Sequence, residues 1–348
     1  MAQGASAPQI KTEQLVTDVL ATIDRDRERE IIGRRFGLFD RKETLEQIGE
    51  MLGITRERVR QLEKAVITRL RSTAEQGALP HIDDFQTKVL ELLHASGEVA
   101  RVSELTAKLT DKPSREEQAR VAFLSQLSPK LVVIQEDDNF YHSIAVKALS
   151  SEKALKDRVG KLIETIKQIG EPQTIEQIAK AAGIANAQEA AALASTSKQL
   201  ATLNGRWGLI KWPMVNPKNI RDKIYVILKE NGKHMHFNEI ADAIKASDFK
   251  RKDVTTQAIH NELIKDKRFV LIGRGIYALK EWGYQKGTVA DIISEVLRQA
   301  KEPLHRDEIV KRVLKSRFVK ETTILLNLQG KPQFKRVAKA TYDLADTE

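Results

Sequence analysis

Thr44 to Arg71 reads TLEQIGEMLGITRERVRQLEKAVITRLR, and its polar residues fall at spacings that could serve recognition. At about 100° per residue, Arg56, Glu57, Arg60, Gln61 and Lys64 share one side of a helix that begins after Thr55. Val59, Leu62, Val66 and Leu70 occupy the other side. Arg can donate two hydrogen bonds to a guanine edge, Glu can accept from a cytosine amino group, and Gln can pair with adenine. The remaining cations suit phosphates. The same spacing also describes an ordinary solvated amphipathic helix, so the pattern admits both readings.

Such a face has to be held by other elements. Thr44 followed three residues later by Gln47 forms a capping-box signature, which predicts a helix from about Leu45 to Leu52. Gly53 is placed to end that helix in a left-handed turn, and Thr55 to cap the next. Two helices joined by so short a turn make a helix-turn-helix, with the second helix as the one that enters a major groove.

The segment from about Glu13 to Ala74 resembles region four of the primary bacterial sigma factors. The resemblance rests on LATIDRDREREIIGRRFGL (Leu20 to Leu38), the TLEQIG opening and the ITRERVRQLEKA run. It implies a module that recognises the upstream (minus-35) promoter element and docks on the RNA polymerase flap. Carried over by position, it implies base contacts by Arg56, Glu57 and Gln61, and backbone contacts by Arg58 and Arg60, with Thr55 and Lys64 completing the backbone-facing set. It covers under a fifth of the chain, and only a dozen residues precede it. The expectation is therefore a protein that is not a complete sigma factor.

The 348 residues are 41% hydrophobic and 5% aromatic, which favours several small helical modules over one large core. There is no cysteine, which excludes disulfides and thiolate metal sites. No apolar run approaches membrane-spanning length, and MAQGASAPQIK lacks the apolar centre of a signal peptide. A cytoplasmic, nucleoid-associated protein without membrane contact is expected. The net charge of +10 favours an anionic partner. Residues 24–74 carry 13 basic to 10 acidic side chains, 218–286 carry 15 to 9 and 287–348 carry 12 to 9, whereas 75–213 are balanced at 17 to 18. Positive charge is thus concentrated at two separated places.

Beyond about residue 80 a pattern of roughly 65 residues recurs four times. Each copy opens on an apolar-periodic helix: VLELLHASG, LIETIKQIG, IYVILKENG and IISEVLRQA. A short segment then leads to a second helix, a third helical stretch follows, and strand-like residues such as RFVLIGRGIYAL close the copy. Helix, helix, helix, hairpin is the order of a winged helix. The third copy, about Pro217 to Tyr284, resembles the HARE-type winged helix found in the delta subunit of bacterial RNA polymerase. In such a unit the third helix and the wing are the candidate DNA contacts, here Thr256, Gln257, His260 and Asn261 with Arg274 in the Gly273-Arg274-Gly275 turn. Three acids in IQEDDNFYH repel phosphate, so the first two copies are expected to be spacers or protein-binding units.

The predicted fold class is mainly α: a helix-turn-helix module followed by tandem winged-helix domains with small β wings. The expected divisions are a disordered tail at 1–12, the sigma-like module at 13–76, and winged helices at 82–148, 153–213, 217–284 and 287–346. No catalytic set, phosphate loop or metal-ligand spacing stands out. His234 and His236 suit solvated or capping roles, and the DRDRERE run at 24–30 suits a solvated helix face with intrahelical pairs. A non-enzymatic protein without cofactor is expected, its partners being double-stranded DNA and RNA polymerase. Two alternatives stay open: a delta-like polymerase accessory protein acting through protein contacts, and a non-specific architectural DNA binder.

Overall fold

The computed structural model describes residues 10–149 and 151–345. The chain is mainly helical and divides into two compact units, the first ending at Lys211 and the second beginning at Trp212.

The first unit opens with α1 (Thr12–Ala21), α2 (Asp26–Phe36), α3 (Leu45–Leu52) and α4 (Arg56–Glu75). Residues 1–9 of the expected tail lie outside the described residues. Ile10 and Thr12 are already part of the fold: the Ile10 amide donates to the Leu109 carbonyl at 3.2 Å, and Thr12 opens α1 fully buried. Left-handed glycines, Gly37 (φ 68°) and Gly53 (φ 64°), end α2 and α3. Ile31, Ile48 and Val59 form a small core beneath α3 and the start of α4.

A winged-helix order follows twice in this unit. The first copy comprises α5 (Ile82–Ser96), β1 (Val99–Arg101), α6 (Val102–Leu109), α7 (Arg115–Leu127), β2 (Leu131–Ile134) and β3 (Ser143–Val146). The second comprises α8 (Glu152–Ile169), β4 (Gln173–Thr174), α9 (Ile175–Ala182), α10 (Ala187–Ser195), β5 (Leu200–Leu203) and β6 (Arg206–Leu209). The second unit repeats the order twice more. Its first half is α11 (Ile220–Asn231), β7 (Met235–His236), α12 (Phe237–Ala246), α13 (Thr256–Lys265), β8 (Phe269–Gly273) and β9 (Ile276–Leu279). Its second half is α14 (Val289–Ala300), β10 (Leu304–His305), α15 (Arg306–Ser316), α16 (Glu321–Gly330), β11 (Phe334–Ala338) and β12 (Thr341–Leu344).

The predicted order thus gains one short strand before each second helix. That strand pairs antiparallel with the last strand of the hairpin, giving the orders β1-β3-β2, β4-β6-β5, β7-β9-β8 and β10-β12-β11. In the third copy, Met235 lies opposite Tyr277 and His236 opposite Ile276.

One continuous core runs from Val16, Val19 and Ile23 on α1 through Val66 and Leu70 on α4 to Val89, Phe123 and Ile144 of the first winged copy. Within the second unit, Phe318 donates its amide to the Ile272 carbonyl at 3.2 Å, so the loop before α16 rests on β8.

Candidate nucleic-acid interface

The turn between α3 and α4 is built as its residue types demand. Thr44 Oγ1 accepts from the Gln47 amide at 3.3 Å, and Gln47 Oε1 accepts from the Thr44 amide at 2.9 Å, completing the capping box. Thr55 Oγ1 accepts from the Arg58 amide at 3.2 Å. Gly49 permits the turn to fold tightly against α3: a Cβ there would lie 2.7 Å from the Ile54 carbonyl oxygen. Arg27 Nη2 donates to the Leu52 carbonyl at 2.5 Å, which satisfies one of the free acceptors at the end of α3 and ties α2 to it.

On α4, Val59, Val66 and Leu70 are buried and Leu62 is half-buried. Ile67, absent from the predicted apolar stripe, is buried as well. Arg56, Glu57, Arg60, Gln61 and Lys64, which helical spacing puts on one side of α4, are all exposed, and Arg58 is exposed at the edge of that side. The face is internally paired. Glu57 holds Arg60 through two contacts, Nε to Oε2 at 2.8 Å and Nη2 to Oε1 at 2.6 Å. Those hydrogen bonds hold the Glu57 carboxyl below the usual carboxylate range and raise the Arg60 guanidinium above its ordinary value. Gln61 joins the cluster, 3.5 Å from Glu57 and 3.4 Å from Arg58 Nη1. Arg56 reaches back to Glu46 on α3 at 2.7 Å. Glu46 was not singled out in the sequence, although its exposed position at the start of α3 was readable from the cap.

The charged run at 24–30 departs from a purely solvated face. Glu28 is buried, and its carboxylate meets Arg69 of α4 at 2.7 Å and Arg25 at 3.5 Å. Asp26 with Arg29, and Glu30 with Arg34, keep the expected intrahelical pairing.

In the second unit, Gln257 and Asn261 are exposed on α13 and joined by a hydrogen bond of 3.1 Å, with Thr256 half-exposed beside them. His260 is turned partly inward: its ring lies 5.2 Å from that of Phe237 and 6.2 Å from that of Tyr277, both edge-on. Aromatic packing therefore takes much of the surface that a base contact would use. Arg274 is exposed at the wing tip. His236 caps α12, its Nδ1 accepting from the Asn238 amide at 3.3 Å, while His234 packs its ring 4.4 Å from that of Phe318. Among the described residues, no cluster of His, Asp and Glu could hold a metal ion, and no helix is long and apolar enough to cross a membrane.

Three helices, a capped tight turn and an outward polar face on the last helix define the segment from α2 to α4. Residues 25–72 match the family Sigma-70, region 4. The RNA polymerase sigma factor RpoD of Helicobacter pylori strain 26695 is 43% identical over 72 residues, as is RpoD of strain J99. Each alignment covers 20% of this chain and 11% of the relative. The likeness therefore belongs to the helix-turn-helix segment, and the chain spans about a tenth of the length of the relatives it matches.

Proposed function

We propose that this protein is a DNA-binding transcription factor acting at initiation, with α4 as its base-reading helix. The observation that carries this reading is the open polar face of α4, backed by an apolar one, within the span matching Sigma-70, region 4. Arg56, Glu57 and Gln61 are assigned to base edges, and Thr55, Arg58, Arg60 and Lys64 to phosphates. RNA polymerase is the proposed protein partner. The similarity found is to region four and to about a tenth of the relatives' length, and on that basis the protein is assigned to work beside a complete sigma factor and not in place of one. The third copy, with its HARE-like sequence, is proposed to extend the contact through Thr256, Gln257, Asn261 and Arg274, with His260 in a packing role. No catalytic activity is proposed.

A second reading has an observation in its favour. The ion pairs Glu46–Arg56 and Glu57–Arg60 partly neutralise the face, and the first two winged copies lie in the charge-balanced stretch. Both features suit a polymerase accessory protein acting through protein contacts. Pull-down of the tagged chain from its own lysate, with and without nuclease, separates the two. Recovery of DNA bearing a shared motif supports the first reading, and polymerase retained after nuclease without any such motif supports the second.

A further inference from the structure

A winged helix offers its third helix to a duplex, and in the first two copies that helix is already occupied. In α7, Arg120 to Ser125 are buried without interruption, and Leu127 with them. Six consecutive buried residues exceed one helical turn, so this part of α7 is enclosed on every side. Its surroundings are α1, α2 and α4 on one side and its own winged copy on the other. The Phe123 ring sits 5.0 Å from that of Phe36 on α2. Arg120 is committed inward: Nε donates to the Leu38 carbonyl at 2.8 Å, Nη1 to Glu117 at 2.6 Å, and Nη2 pairs with Glu13 at 3.1 Å.

In the second copy, α10 has the sequence AQEAAALAS, with no cation to meet a phosphate. Ala190, Ala192, Leu193 and Ala194 are buried, and Glu189 is paired with Arg158. The helix lies against β1 and α5 of the first copy so closely that a Cβ on Gly97 would come within 2.6 Å of the Gln188 carbonyl oxygen. Gln188 Nε2 donates to the Ala95 carbonyl at 2.6 Å, and Arg101 Nε to the Ser195 carbonyl at 2.6 Å. The acidic wing tip of the first copy is bound into the same joint, Lys198 meeting Glu136 at 2.7 Å and Lys156 meeting Asp137 at 3.0 Å.

We propose that the first two winged-helix copies are an intramolecular brace and not nucleic-acid binders. In this assignment α7 seals the apolar side of the second half of α4, at Val66 and Leu70, against α1 and α2, and α10 locks the second copy to the first. Residues 10–209 then move as one body with the polar face of α4 left open. This assignment is independent of whether that face meets DNA or protein.

The chain has no cysteine, so two spin labels can be introduced cleanly in the full-length protein, at Glu50→Cys on α3 and Lys180→Cys on α9. A single narrow distance distribution is expected, together with hydrogen exchange in which the amides of α7, α10 and the buried half of α4 share one denaturant dependence. Adding a random-sequence duplex should leave α7 and α10 unchanged. Gly97→Val in the labelled chain should broaden the distribution; a distribution that stays narrow would contradict α10 as the lock. A broad or two-peaked distribution in the parent protein, separate opening of α7 or α10, or new protection of either helix on adding duplex would overturn the brace. These last measurements need no destabilising variant.

Discussion

The Arg56 guanidinium and the Glu46 carboxylate lie 2.7 Å apart, joining the exposed sides of α4 and α3 across the helix-turn-helix. Both side chains are largely in solvent, so the pair adds little to stability, about 0–1 kcal/mol. If Arg56 reads a base, as proposed, it has to exchange Glu46 for the base edge, so the pair bears on recognition. Arg56→Ala should cost about 1–3 kcal/mol on a preferred duplex and relax one base position. Glu46→Gln removes the competitor and should strengthen binding with no measurable change in unfolding. Fluorescence anisotropy on the two variants checks both signs, and weaker binding by Glu46→Gln would show that Glu46 serves the interface directly.

Glu57 and Arg60 give a pH-dependent signature. The folded carboxyl titrates below its unfolded value because Arg60 hydrogen-bonds to the charged form. The contribution of the pair is therefore complete above the ordinary carboxylate range and disappears as pH falls through the depressed value. Side-chain NMR titration of Glu57 should show this depression, and Arg60→Ala should return Glu57 towards the ordinary range. An unchanged Glu57 titration in that variant would mean that the pair does not persist in solution.

Gly49 sets the turn. Because a Cβ would approach the Ile54 backbone oxygen to 2.7 Å, Gly49→Ala has to shift backbone and not merely a flexible side chain. A loss on the order of 1–3 kcal/mol is expected from such overpacking. Urea unfolding of the full chain measures it, and DNA affinity should fall with the displaced α4. A neutral Gly49→Ala would place the turn backbone at Ile54 farther from α3 than described.

The turn and its caps were legible because their signals are local. Thr44 with Gln47, Gly53 and Thr55 each act on backbone groups within a few residues, and the structure shows each in its predicted role. The four helix and hairpin copies were legible for the same reason. The strands before the second helices were not, since two or three residues carry no readable alternation. Nor was the environment of α7: Val121, Ala122, Phe123 and Leu124 in succession mark a helix as enclosed without saying by what. Arg120 with Leu38, and Glu28 with Arg69, join residues far apart in the chain, and nothing in local spacing announces them. His260 is a candidate contact only through its place on the third helix of a winged-helix unit, and its inward packing depends on Phe237 and Tyr277 from other elements.

The basic second unit can be tested by salt. If residues 218–348 contact phosphates, they release counterions and steepen the dependence of affinity on salt. Ending the chain at Lys211, the last residue of the first compact unit, should weaken binding and flatten that slope while leaving the preferred sequence unchanged. Equal slopes for the two chains would assign the second unit to a protein partner.

Base reading by α4, as proposed, predicts a sequence preference that depends on Arg56. Selection from a random duplex pool by the full-length protein, run in parallel with Arg56→Ala, addresses it most directly. An enriched motif that loses its preference at one position in the variant is the predicted result. No enrichment by the parent protein, or an identical motif from both chains, would contradict the assignment of Arg56 and its face to base recognition.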